Sequence, residues 1–189
     1  RSHGYYKPDI QVAVDASKAA TIAVNYTIET GPAYTIENVE VQFDPAPPRP
    51  REDAGLTPEK LGVEIRQVAR AETIRSAAGK LNERVRRAGY AFAEVATPEV
   101  LVHHERRAVT LVLECQRGPL TKFGAVTIEG LERVAPSFVK NKVPWQTGDR
   151  YTPEVTRAFQ QELLETELFS VVRIEHAESL TEDGLLPTT

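Results

Sequence analysis

The sequence predicts an α+β fold made of tandem copies of one strand–helix–strand–strand unit, and three observations carry that prediction. An alternating apolar stripe closed by Gly-Pro occurs twice at a fixed offset. A Gly-Tyr pair precedes each stripe, and Thr-Pro-Glu openings followed by apolar residues at helical spacing lie between the strands.

The stripe runs through Ile22, Val24, Tyr26 and Ile28 to Gly31-Pro32, and again through Val109, Leu111, Leu113 and Cys115 to Gly118-Pro119, an offset of 87 residues. Period-two alternation places each set on one face of a strand. The same offset carries Ile36, Val39 and Val41 onto Phe123, Val126 and Ile128, so each Gly-Pro is followed by a second matching strand. Gly4-Tyr5-Tyr6 corresponds to Gly89-Tyr90 at an offset of 85, which makes the second hairpin loop two residues longer, around His103–Arg107.

Thr152-Pro153-Glu154 reads as a helix start, with Thr as N-cap, Pro at the first helical position and an acid at the positive end of the dipole. Val155, Phe159 and Leu163 then line one face, with Leu168 and Phe169 beyond. Thr57-Pro58-Glu59 repeats the opening, and Ile74, Leu81 and Val85 supply a stripe that stops at Gly89. By phase, residues 1–32 hold only the closing hairpin of a first unit, 33–119 a complete unit, and 120–189 a unit whose last strand would fall at 196–202. Both end repeats are thus expected to be truncated, and a lone hairpin is marginal in water.

Composition narrows the function classes. Among 189 residues, 23 basic and 27 acidic side chains give a net charge of −4, which offers no electrostatic basis for binding nucleic acid. One cysteine excludes an intramolecular disulfide and any cysteine-based zinc site. No apolar run approaches the ~20 residues of a membrane-spanning helix. Residues 57–88 carry eight basic and four acidic groups, and residues 151–183 two basic and eight acidic, an asymmetry that reads first as solvated surface.

A strand, helices, then Gly-Tyr opening a hairpin that ends in Gly-Pro, in tandem, resembles the POTRA (polypeptide-transport-associated) domains of outer-membrane assembly proteins. Arg117-Gly118-Pro119, Phe123-Gly124, Val143-Pro144-Trp145, Gly148-Asp149 with Tyr151, and Leu168-Phe169-Ser170 look like the last such domain of TamA-like proteins. Glu167 stands where that motif carries glycine. The resemblance implies β-α-α-β-β repeats with a three-stranded mixed sheet covered by helices. It also implies a periplasmic array of a Gram-negative outer-membrane protein with a C-terminal membrane β-barrel. Expected partners are unfolded outer-membrane proteins or autotransporters and an inner-membrane-anchored TamB-like protein. No enzymatic activity, cofactor or metal is expected. Related readings are a central barrel-assembly protein or a two-partner secretion transporter; of another class is a periplasmic small-ligand binder or enzyme.

By that resemblance the Gly-Pro strand is central and the Gly-Tyr strand forms an open edge, with Pro8 and Pro98 in or beside it where a missing N–H is tolerated. Such an edge accepts an extended segment of another chain. The candidate protein-binding residues are Phe92, Glu94, Val95, Val100 and Val102, with Ile10, Val12 and Val14 equivalent in the first unit. His103, His104 and His176 have no partner spacing suited to a metal. Cys115 reads as a small core hydrophobe, Trp145 as packing, and Asp44–Pro50 as a stiff polyproline-like loop.

Overall fold

The computed structural model describes residues 3–18, 21–44 and 56–189. Its elements are β1 (Asp9–Lys18), β2 (Thr21–Glu29), β3 (Thr35–Asp44), a 3-10 helix (Pro58–Leu61), α1 (Ala71–Arg87), β4 (Glu94–Val95), β5 (Glu99–His103), β6 (Ala108–Gln116), β7 (Lys122–Val126), α2 (Pro136–Lys142), α3 (Pro153–Glu165) and β8 (Leu185–Thr188). The expected polyproline-like loop beyond Asp44 lies outside the described residues. Two compact units divide the rest: residues 3–42, 56–80 and 95–114 in one, and 43–44, 81–94 and 115–189 in the other.

In the first unit, β1 and β2 form an antiparallel hairpin that sets Ile10 opposite Ile28, Val12 opposite Tyr26 and Val14 opposite Val24. All six side chains therefore share one face, together with Ile22. That face is in water, each side chain 45–68% exposed. The sheet that follows is built on β6, which lies between β3 and the β4–β5 strand. β5 runs antiparallel to β6, pairing Val100 with Leu111 and Val102 with Val109. β3 runs parallel to β6, since Thr35 N–H donates to Arg107 O and Arg117 N–H donates to Asp44 O, both at 3.1 Å. A nine-residue strand without proline, apolar at every second position, suits the centre of such a mixed sheet. Val109, Leu111 and Leu113 are fully buried and Cys115 is 1% exposed.

Helix α1 buries Ile74, Ala77, Leu81 and Val85, the predicted stripe with Ala77 added. Its start differs from the prediction. Thr57-Pro58-Glu59 opens only the 3-10 helix, which Gly62 ends in the left-handed conformation at φ +73°. Leu61 and Val63 are then buried and Arg66 sits at φ +76°, so a helix cannot run through to Ile74. α1 begins afresh after Arg70, whose carbonyl accepts from Ile74 N–H.

In the second unit, β7 pairs in parallel with β8, Phe123 opposite Leu186. Phe123 stacks on Trp145 at 4.5 Å between ring centroids, and Trp145 meets Phe159 edge-on at 5.3 Å. Val139, Tyr151, Leu163 and Leu186 complete this core, with Val155 and Phe169 packed against it. Trp145 is thus a core ring, as its neighbours in sequence suggest. Leu168 by contrast is 54% exposed. Glu167 has φ +58°, which accounts for glycine in the motif at this position: a side chain there is strained, a hydrogen is not.

The repetition is written into the main chain. Tyr34 N–H donates to Gly4 O and Ala69 N–H to Tyr34 O; likewise Thr121 N–H donates to Gly89 O and Tyr151 N–H to Thr121 O. Ile36 N–H reaches Gln67 O and Arg66 N–H returns to Ile36 O, while Phe123 N–H reaches Asp149 O and Gly148 N–H returns to Phe123 O. Positive φ angles recur at the same places: Gly4 and Gly89, Arg66 and Gly148, Arg107 and Gly184.

These equivalences correct the phase of the last strand. Arg107 immediately precedes β6 and Gly184 immediately precedes β8, so β8 is the counterpart of β6 and lies at 185–188, not at 196–202. An offset taken from the hairpins overshoots because the second unit is shorter in two places: the connection from β7 to α2 is shorter than that from β3 to the 3-10 helix, and α3 is shorter than α1.

Equivalent stripe positions with opposite burial give a direct check. Leu111→Ala should cost about 2–5 kcal/mol of stability in urea denaturation followed by circular dichroism. Val24→Ala, although its position matches, should cost less than about 1 kcal/mol. Similar losses at the two sites would contradict the burial described here.

Candidate peptide-binding edge

Whether a sheet edge can accept another strand depends on what already covers its outer main-chain groups. The two edges flanking β6 differ in this respect. β3 is covered at its start: Ile36 bonds both Arg66 and Gln67, and Thr35 bridges Val68. The opposite edge, β4 with β5, pairs with β6 on its inner side and with no strand on its outer side among the described residues.

This edge is one strand interrupted at residues 96–98. Ala96 N–H still donates to Glu114 O at 2.9 Å, and Pro98 falls in the gap, where its missing N–H costs no ladder bond. Glu99, Val100, Leu101, Val102 and His103 then restore regular pairing. Val95, Val100 and Val102 are half-buried, while Glu94, Glu99 and Leu101 are exposed. Backbone groups therefore dominate what the edge offers, with Leu101 the one large apolar side chain on its outer face. At the far end, Glu37 holds His103 at 3.3 Å and Arg106 at 2.8 Å, and His104 Nδ1 is bonded to the buried Tyr34 hydroxyl at 2.8 Å. Both histidines thus have local structural partners.

The structure brings Glu94, Val95, Val100 and Val102 onto this edge. Phe92 is not part of it: it lies in the turn before β4 and packs against the Phe123–Trp145 core. The reason is the tight Gly89-Tyr90 turn, closed by Ala93 N–H to Tyr90 O, which delays the strand until Glu94. Ile10, Val12 and Val14 lie on β1, where their prominence comes from the apolar face they share with β2. Sequence reading anticipated an unstable hairpin but not this face, although the stripe match to Val109–Cys115 contained the signal.

Burial also shifts the titration of Cys115 and His176, away from the edge. Burial pushes the Cys115 thiol up to about 11, partly opposed by the nearby Arg117 charge. At pH 8 the native thiol should resist a disulfide reagent, and labelling should accelerate at least tenfold once urea unfolds the protein. Burial also holds the His176 imidazole below its ordinary range, beside Thr188 Oγ1 at 3.2 Å and the Tyr151 hydroxyl at 3.5 Å. The fold therefore favours neutral His176. Its contribution is complete above about pH 6.5, the unfolded value, and is lost as pH falls through the lower folded value. The urea midpoint should fall between pH 7.5 and 5.5, and His176→Asn should flatten that dependence.

No family model and no curated protein matches the sequence. Solved structures do match. One is a crystal structure of Haemophilus influenzae BamA POTRA3-5, at TM-score 0.69 and 16% identity over 99% of this chain and 72% of that one. Another is BamA from Haemophilus ducreyi lacking POTRA domains 1-3, at TM-score 0.67 and 15% identity, covering 82% of this chain and 28% of that chain. POTRA1-2 of the periplasmic domain of Omp85 from Anabaena matches at TM-score 0.51 and 10% identity over 81% of this chain and 91% of that one. No helix among the described residues is long and apolar enough to cross a membrane. A mixed sheet on the central strand β6, helices inserted between the first strand and the hairpin, and these likenesses together establish that the chain has the POTRA fold.

Proposed function

We propose that this chain is part of the periplasmic POTRA array of an outer-membrane β-barrel assembly factor, and that its β4–β5 edge binds extended client segments by β-augmentation. The clients are unfolded outer-membrane proteins, autotransporters among them, and the array works beside a TamB-like partner anchored in the inner membrane. Residues 1–32, 33–119 and 120–189 would be a partial, a complete and a partial domain of that array. The binding is non-enzymatic.

One observation supports this reading: among the described residues β4–β5 has no strand on its outer side, while β3 is covered at its start by its own chain at residues 66–68. Main-chain pairing supplies affinity without a strict sequence requirement, which suits an activity that must accept many barrel precursors. The alternating valines face inward and hold the edge to β6, so a guest strand meets a preformed ladder. The likeness to BamA POTRA structures favours a second reading, in which the array belongs to a central barrel-assembly protein. The two readings share the edge and differ in the partner.

A photo-crosslinking residue at Val100 should capture a urea-unfolded outer-membrane barrel protein on dilution, and the same residue at Arg75 on α1 should not. Strong capture at Arg75 with none at Val100 or Val95 would eliminate the edge. Capture of the inner-membrane-anchored partner by the full-length protein separates the TamA-like reading from the central one.

A further inference from the structure

Strand β5 presents two different faces to a guest strand, and only one of them carries charge. Val100 and Val102 lie opposite the fully buried Leu111 and Val109, on the face turned to the core. Glu99, Leu101 and His103 lie opposite Val112, Thr110 and Ala108 on the other face. There the central strand is already buried, while Glu99 and Leu101 stand in water at the border. The two ends of that face differ electrostatically. At the His103 end the Glu37 carboxylate is held by Arg106 at 2.8 Å and by His103 at 3.3 Å, and His103 Nε2 also meets Thr110 Oγ1 at 3.2 Å. At the other end Glu99 makes no ion pair among the described residues. Neither does the exposed Glu114, which alternation along β6 places on the same face, two residues beyond Val112. Like charges on neighbouring strands repel, and a cation on the next strand relieves both.

We propose, resting on β4–β5 as the binding edge, that this edge selects its guests by charge: it takes an extended segment that sets a lysine or arginine beside Glu99 and a large apolar side chain two residues away beside Leu101. Length and pattern follow from the strand itself. Regular pairing runs over the five residues Glu99–His103, bounded by the gap at 96–98 and by the turn into β6. Side chains two apart on a guest strand share a face, and each meets the side chain across from it at about 4.5–5.5 Å between Cβ atoms. Glu99 and Glu114 thereby gain the counter-charge they lack, and Leu101, 42% exposed, leaves water. Guest positions that face Val100 and Val102 extend the stripe begun by Leu111 and Val109, so they are apolar with no demand on identity. An acid beside Glu99 is repelled, which discriminates against acidic segments as well as favouring basic ones. The His103 end imposes no such choice, because Arg106 already matches Glu37.

Two capped peptides, Lys-Val-Leu-Val-Lys and Glu-Val-Leu-Val-Glu, set the same charge beside Glu99 whichever way they run. Each is titrated into the protein and followed by the amide chemical shifts of Glu99–His103. The lysine peptide should bind more tightly by about threefold or more at low salt, and the difference should shrink at about 0.5 M salt. Glu99→Lys, at an exposed position, should abolish or reverse the preference. Leu101→Ser should weaken both peptides alike and leave the preference in place. Shifts at these amides with equal affinities for the two peptides would overturn the charge selection and leave the edge standing. A preference that survives Glu99→Lys would overturn it as well, since the discriminating charge would then lie elsewhere. Absence of shifts at Glu99–His103 with either peptide would remove the edge itself, and its selectivity with it.

Discussion

The fold depends on one main-chain constraint: the first strand of each repeat must bond the hairpin turn on one side and the approach to the following helix on the other. Tyr34 does this between Gly4 and Ala69, and Thr121 does it between Gly89 and Tyr151. Those contacts require Gly4 and Gly89 at φ +88° and +95°, and at Gly4 a Cβ would come within 2.5 Å of Val68 Cγ1. Any side chain at Gly4 therefore meets both an unfavourable backbone region and a packed neighbour. Everything else in the unit is arranged from these junctions, including where the helix starts and where the central strand enters the sheet.

From the junctions follows the asymmetry of the sheet. The segment that reaches Tyr34 and Ile36 occupies the outer side of β3 as it passes, residues Arg66 to Ala69 serving as a short edge cover. No comparable segment returns past β5, because the chain enters that strand from the Gly89-Tyr90 turn and leaves it through the His103–Arg107 loop to β6. Natural edges are often blunted by charge, proline or interruption. Here Pro98 and the gap at residues 96–98 shorten the continuous ladder, while Glu99–His103 keeps regular pairing. Among the described residues the edge is open but brief.

Legibility in the sequence followed the residues whose chemistry is forced. Period-two stripes revealed β2 and β6 because one face must leave water, and Gly-Tyr and Gly-Pro pairs revealed the turns because the backbone there has positive φ. The link to the following helix was opaque: Arg66 and Gly148 adopt the same conformation with no residue in common. Thr57-Pro58-Glu59 and Thr152-Pro153-Glu154 look alike, yet one opens a four-residue 3-10 helix and the other the thirteen-residue α3. A capping signal specifies a start and says nothing of length; Arg66 sets the limit in the first case. The register of β8 was missed for a similar reason, since an offset measured across hairpins contains the loops between strand and helix. At the candidate edge, alternation and Pro98 were sufficient, and Phe92 was misplaced because an aromatic beside a Gly-Tyr turn fits either a strand or the underlying core.

The exposed stripe of β1–β2 shows that one sequence pattern can have opposite burial in two copies of the repeat. Ile22, Val24, Tyr26 and Ile28 are exposed, while their matches Val109, Leu111, Leu113 and Cys115 are buried to 1% or less. Burying an aliphatic or aromatic side chain of this size is worth about 1.5–3 kcal/mol, so leaving several in water is a large fraction of a domain's net stability. The same alternation is thus exposed in β2 and buried in β6, so the period-two pattern fixes which side chains share a face while the layer packed on that face decides whether they leave water.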